Sequence, residues 1–95
     1  MPSVGVLTLE LRLDDSHSLK DKRHVVRSLK DRLRGKFNVA VAEIDCQDLW
    51  QRAVLAAVTV SSGHEHAEQV LRSVEEEAAN LLGGTLTNTT VEWLA

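Results

Sequence analysis

The chain contains few of the residues on which several common kinds of site depend. Its 95 residues include one cysteine, one proline, one phenylalanine and two tryptophans, and no tyrosine. Because Cys46 has no second cysteine to pair with, an intramolecular disulfide is excluded, and a reduced, cytoplasmic setting is the simplest expectation. No apolar run reaches the 18 residues that predict a membrane-spanning helix. We therefore expect a cytoplasmic protein.

The apolar residues that are present predict four strands and two helices. Alternating side chains and β-branched residues predict strands over 4–13, 37–45, 53–61 and 85–94. A helical segment follows the first strand and another follows the third, so the order is βαββαβ. Right-handed crossovers then favour the α+β class and a ferredoxin-like sandwich, in a single domain spanning 1–95. Its four-stranded antiparallel sheet has the first and third strands in the centre and both helices on one face. The predicted core includes Leu9, Leu11, Val26, Leu29, Leu33, Val70, Val74 and Leu81.

The first helix separates apolar from basic residues. Ser18 is a good N-cap and Gly35 a suitable residue to end the helix in a left-handed conformation. One arc of the helix holds Leu19, Val25, Val26, Leu29 and Leu33. Lys22 falls inside that arc, where we expect its stem to lie on the core while its ammonium reaches water. Beside the arc lies a row of five cations, which we call the basic stripe: Lys20, Arg23, Arg27, Lys30 and Arg34.

The charge of the chain is distributed unevenly between the two helices. The net charge is −3, yet residues 19–36 carry eight Lys and Arg against two Asp, and residues 64–82 carry five Glu against one Arg. A basic helix on an acidic protein favours a local anionic partner, such as RNA or the ribosome. The alternative is that the stripe is only a solvated helix face.

Several sites known from ferredoxin-like domains lack the residues that they need here. The first loop (DDSHS) has no paired cysteines for a soft metal and no glycine-rich anion cradle with an arginine. The two central strands have no aromatic residue on which RNA bases could stack, as they do in RNA-recognition motifs. We expect no catalytic residues, no metal and no cofactor, and no small-molecule substrate is indicated. A small hydrolase or transferase is the least favoured reading.

The tip between the second and third strands is a further candidate contact. Trp50 and Arg52 place an indole and a guanidinium there, groups that suit RNA or protein contact. The alternative, which we favour slightly, is that Leu49 and Trp50 fold back and close the end of the core.

The central block of the sequence resembles a known bacterial family. The run SLKDKRHVVRSLKDRLRGKFNVAVAEID, followed by QDLWQRA, is similar to the YlxP-like family, a small domain of unknown function, over essentially the whole chain. The resemblance implies the ferredoxin-like fold. Genes of the family often lie among those for translation initiation and ribosome maturation, which implies a role linked to RNA or the ribosome by association only. It implies no catalytic residues.

Two hypotheses of function remain. The first is a non-enzymatic RNA- or ribosome-associated domain, with phosphate contacts from a nucleic-acid-binding set that comprises Lys20, Arg23, Arg27, Lys30, Arg34, Trp50 and Arg52. The alternative is a homo-oligomeric interaction module, such as a homodimer, with no nucleic-acid role. It would use an edge strand or the bare sheet face that carries Thr8, Glu10 and Arg12, which is half apolar if Ala53, Leu55 and Ala57 or their neighbours lie beside them.

Overall fold

A computed structural model describes all 95 residues and contains one sheet and two long helices. The elements are β1 (Ser3–Arg12), α1 (Leu19–Lys36), β2 (Ala40–Asp45), β3 (Arg52–Ser61), α2 (His64–Leu82), a 3-10 turn (Gly83–Thr85) and β4 (Leu86–Trp93). The strands pair antiparallel in the order β2-β3-β1-β4, so β1 and β3 are central. The predicted ferredoxin-like fold is confirmed. Neither helix is long and apolar enough to cross a membrane.

Both helices cover the same face of the sheet and share one core. Alternate residues of β1, Leu7, Leu9 and Leu11, are almost fully buried because each points toward the helices. Against them lie residues three or four apart on each helix, the spacing that brings side chains to one helical face. This helical set comprises Val26, Leu29, Leu33, Leu71, Val74 and Ala78.

Two of the predicted core residues lie nearer the surface than expected. Val70 is only half-buried, and Leu81 retains 44% of its exposure. The buried row of α2 ends at Ala78, and in the last turn Leu82, not Leu81, packs against the core. The apolar arc of this helix is therefore wider than the surface that it buries.

Of the two ends predicted for α1, only the N-terminal one is confirmed. Ser18 is the N-cap: its hydroxyl accepts from the Asp21 amide at 3.1 Å, while the Asp21 carboxylate accepts from His17 N–H. Gly35, however, stays within the helix, which ends at Lys36 with Phe37 as an extended C-cap. The Phe37 amide still donates to Leu33 O, so the helix needs no left-handed glycine to end. The second strand starts later than predicted, at Ala40.

Candidate nucleic-acid interface

The basic stripe lies on the side of α1 that faces away from the core. Lys20, Arg23, Arg27 and Arg34 are exposed, and Lys30 is half-buried. Helix α1 packs mainly over β2, one of the two edge strands of the sheet. Arg23, Arg27, Lys30 and Arg34 line a shallow depression of about 320 Å³, together with Val26, Asp31 and Glu43 of β2. The structure therefore brings the stripe together as one surface along an edge of the molecule.

All but one of the six cations of the predicted set differ from the other cations in having no ion pair; the exception is Arg34. The chain has eleven Lys and Arg. Six of these are in ion pairs, namely Arg12, Lys22, Arg32, Arg34, Lys36 and Arg72. The remaining five have no carboxylate within 4.0 Å, and all five belong to the predicted set: Lys20, Arg23, Arg27, Lys30 and Arg52. The uncompensated positive charge of the chain is thus concentrated on α1 and at the start of β3.

The last turn of α1 is electrically different from the rest of the stripe. Arg34 forms an ion pair with Asp31 at 3.2 Å, so its charge is partly compensated within the helix. Glu77 of α2 receives Arg32 at 3.2 Å and Lys36 at 2.6 Å. The hydrogen bond from Lys36 holds the pKa of Glu77 below its ordinary value; the charges of Lys36 and Arg32 act in the same direction, and desolvation opposes them. The two pairs with Glu77 join the helices. Because Arg34 is paired as well, only the first three turns of the stripe have no carboxylate partner.

Lys22 does not reach water, contrary to the prediction. Its side chain is 1% exposed, and its ammonium lies under the loop that joins β2 to β3. The ammonium donates to the carbonyl oxygens of Cys46 at 2.5 Å, Leu49 at 2.6 Å and Arg52 at 3.0 Å, with Gln47 O at 3.4 Å. The expectation failed because the acceptors are 24 to 30 residues away in the chain and only the fold brings them above the first turn of α1.

Glu43 compensates the charge of Lys22. Its Oε2 lies 2.9 Å from Lys22 Nζ, and this buried oxygen has no hydrogen-bond partner of its own. An ammonium has three protons, and the three nearest carbonyls account for them. The carboxylate therefore acts through charge, and the pair is electrically neutral at the point where β2 meets the stripe.

Trp50 lies in the loop that Lys22 holds, and Arg52 follows it as the first residue of β3. Trp50 is 50% exposed and Leu49 is 45% exposed, so neither closes the end of the core, and the reading that we favoured from the sequence is wrong. The cause is Lys22, whose ammonium takes the space beneath the loop and draws the backbone carbonyls inward. Since Lys22 belongs to the same turn as Lys20, the loop lies at the N-terminal end of the stripe. Arg52, however, lies opposite Arg12 in the register of β1 and β3 and alternates with the buried Ala53, so its side chain is on the face of the sheet away from the helices and not beside the stripe.

Two residues with a part in this arrangement were not predicted from the sequence. Lys22 is one, although its place inside an apolar arc was a visible signal. Gln51 is the other: its side-chain Nε2 donates to Ser16 O at 3.1 Å and Asp14 O at 3.4 Å, and its backbone carbonyl accepts from Leu13 N–H at 2.9 Å. Nothing in the local sequence marks Gln51, because its partners belong to a loop 35 residues or more before it.

The face of the sheet opposite the helices is apolar along β3 and polar toward β4, where Glu10 of β1 accepts a hydrogen bond from Asn88. On β3, Leu55 and Ala57 point toward the helices, so Val54, Ala56 and Val58 point away from them. Val58 lies beside Val6 of β1, and Val60, 55% exposed, extends the row. No element of the chain covers these side chains.

Comparison with known proteins places the chain in a family. A family model described as a protein of unknown function (DUF503) matches residues 4–91. The chain belongs to the DUF503 family. The uncharacterized protein YlxP of Bacillus subtilis (strain 168) is similar to this DUF503 chain, with 38% identity over 71 residues that cover 75% of this chain and 77% of that protein. The expected YlxP-like family is confirmed.

Solved structures agree with the fold of this DUF503 protein. A de novo designed protein, Foldit4, has a TM-score of 0.60 at 15% identity and covers all of this chain and 98% of its own. A dimeric ferredoxin-like protein of unknown function from Thermobifida fusca has a TM-score of 0.57 at 14% identity, covering 99% of this chain and 91% of its own. At these identities the likeness concerns the fold alone.

Proposed function

We propose that this DUF503 protein is a non-enzymatic RNA-binding module whose basic stripe contacts phosphates. The observation that carries the proposal is the ion pairing: the five cations without a carboxylate partner are all in the set that the sequence predicts for RNA. A cation with no internal partner is free to attract an external anion, whereas the field of a paired cation is partly compensated by its carboxylate. The gene neighbourhood that the family resemblance implies favours RNA, or the ribosome, over other polyanions.

The shape of the stripe supports contact with several phosphates. From Lys20 to Arg34 the helix rises 1.5 Å per residue, which gives a row of about 20 Å. The stripe contains Lys and Arg but no Asn or Gln that would read base edges, so the contacts follow charge and shape more than sequence. The neutral Lys22–Glu43 pair leaves the positive potential of the stripe intact despite the acidic residue beside it.

The affinity for RNA should fall steeply with salt. If the four unpaired cations of the stripe each contact a phosphate of a single strand, the slope of log K against log salt concentration should be about −3. Filter binding of a short single-stranded RNA over a series of salt concentrations measures this slope. Arg27→Glu should reduce its magnitude by about one or more.

The matched control for that variant is Arg72→Glu. Arg72 is exposed on α2 and paired with Glu68, and its reversal changes the net charge by the same amount. It should leave the slope within experimental error of the parent. Equal losses in the two variants would mean that binding responds only to net charge and would overturn the role of the stripe.

The open face of the sheet favours a second candidate function, homodimerisation. Val6, Val58 and Val60 form an apolar row that no element covers, and a row of this kind is commonly shielded by a partner. The solved neighbour described as dimeric has the same fold, which supports a second copy of this chain as the occupant. The two candidates use different surfaces and are compatible.

Sedimentation velocity tests the dimer directly. At tens of micromolar the parent should sediment as a dimer, and Val58→Asp should shift it to a monomer because a carboxylate would be buried without a partner in the interface. Arg27→Glu lies on the opposite side and should remain dimeric. A parent that is only monomeric under these conditions would exclude this candidate.

A further inference from the structure

The loop between β2 and β3 is held in one shape from two sides. From below, the Lys22 ammonium binds the carbonyls of Cys46, Leu49 and Arg52. From the side, the Gln51 side-chain amide donates to the backbone of the 14–16 loop, and the Gln51 backbone carbonyl accepts from Leu13 N–H. Within the loop, Cys46 has a φ of 63°, a left-handed conformation uncommon for a residue with a side chain, and its carbonyl also accepts from Leu49 N–H at 3.1 Å. A backbone with these contacts is ordered before any ligand arrives.

The side chains that this backbone presents suit an unpaired base. Trp50 is half-exposed, and a shallow depression of about 340 Å³ is lined by Leu49, Trp50, Gln51 and Arg52. An indole face stacks on any base, and a guanidinium without a carboxylate partner adds a cation for the base face or its phosphate. The bases of a duplex are already stacked and paired, so only a single strand can offer one to this depression.

We propose that the tip of the β2–β3 loop is a preformed base-stacking subsite for single-stranded RNA, with Lys22 as the residue that positions it. The proposal rests on the proposed function, since the stripe supplies the phosphate contacts that bring the strand to the loop. Its contribution is selectivity: the stripe accepts single strands and duplexes, and the subsite favours single strands. Lys22 never touches the RNA. It acts by fixing the loop that carries Trp50 and by neutralising Glu43, so that no net negative charge lies between loop and stripe.

Trp50→Ala should lower the affinity for a twelve-nucleotide oligouridylate about tenfold, because one base loses its stacking partner. Trp50→Phe, which keeps an aromatic face, should recover most of that loss. The affinity for a twelve-base-pair RNA duplex should change less than twofold in either variant. Filter binding with these two probes at one low salt concentration supplies every value. Equal affinity of Trp50→Ala and parent for the single strand would overturn the subsite.

The positioning role of Lys22 is tested by Lys22→Met combined with Glu43→Gln. This double variant removes both buried charges together, keeps the net charge and avoids leaving either charge unpaired. It should weaken oligouridylate binding about tenfold and leave duplex binding unchanged. Adding Trp50→Ala to it should cause less than a further twofold loss, since two changes that disable one subsite are not additive. Losses that multiply, or a folded double variant that binds like the parent, would overturn the role of Lys22.

Two controls keep the outcomes distinct. If circular dichroism shows that the Lys22 and Glu43 variant is unfolded, amide hydrogen exchange of residues 46–51 in the parent replaces that variant. Slow exchange of the Leu49 amide supports a preformed loop. Exchange at the rate of an unstructured peptide overturns the preformed loop. Arg23→Glu combined with Arg27→Glu should weaken both probes. Should that variant bind both as the parent does, the proposed function fails; should only the Trp50 variants match the parent, the subsite alone fails.

Discussion

Leu29→Ala should lower the free energy of unfolding by about 2–5 kcal/mol, out of a total of about 5–15 kcal/mol for a domain of this kind. Leu29 is 2% exposed and lies in the middle of α1, between Val26 and Leu33, in the same core cluster as the leucines of β1. Removal of three carbons there loses burial and leaves a cavity that the surrounding strands and helices cannot close completely. Urea unfolding, monitored by circular dichroism, measures the loss.

Leu81→Ala is the matched control because the chemistry of the change is the same. Leu81 is 44% exposed, so its truncation removes less buried surface and should cost about 1 kcal/mol. From the sequence alone the two leucines were equivalent, since both fall in the apolar arc of a helix. Equal losses in the two variants, or a loss below about 1 kcal/mol for Leu29→Ala, would show that the buried face of α1 is not the one described.

The elements that depend on local pattern were predictable from the sequence. The alternation in β1 and the helical spacing of Val26, Leu29 and Leu33 each report which side of an element is buried, and the Ser18 cap needs only residues within one turn. The order of these elements then limits the topology to very few arrangements. The fold and the central position of β1 and β3 follow from that order.

The details that were not predictable depend on contacts between distant parts of the chain. Gly35 is a residue type that commonly ends a helix, but the hydrogen bond from Phe37 N–H to Leu33 O continues the helix past it. Trp50 is a large apolar residue that would be expected to pack on the core at a hairpin, but the Lys22 ammonium occupies the space beneath the loop. An apolar arc that includes a lysine was a signal of something unusual, yet the acceptors could be known only from the fold.

The candidate surface was predictable in part for the same reason. The five-cation stripe follows from helical geometry, and the pair between Arg34 and Asp31 follows from their spacing of three residues. The pairs of Arg32 and Lys36 with Glu77 connect two helices and could not be foreseen. It is these pairs that distinguish the free cations from the compensated ones, so the strongest support for an RNA-binding role came from tertiary structure.

Arg23→Glu combined with Arg27→Glu should lower the affinity for RNA on the order of a hundredfold at low salt. Each arginine is exposed, without a carboxylate partner, one turn from the other on the same depression. A unit charge about 4 Å from a phosphate is worth about 1 kcal/mol in water, and reversal replaces that attraction by a repulsion of similar size at two positions, reduced by screening. Neither side chain contributes to the core, so the fold should be retained.

The variant needs a control with the same change of net charge on another surface. Gln69→Glu, Arg72→Glu and Asn80→Glu together provide it on α2, because the arginine reversal counts twice and each neutral residue once. All three positions are exposed. Circular dichroism spectra of both variants should match that of the parent, which separates loss of binding from loss of structure.

The most direct test is therefore filter binding of one single-stranded RNA to three proteins at one low salt concentration: the parent, the stripe variant and the α2 variant. A loss on the order of a hundredfold in the stripe variant, with the α2 variant within a few-fold of the parent, is the predicted result. RNA binding by the folded stripe variant at the level of the parent would contradict the account and leave the basic stripe as a solvated helix face.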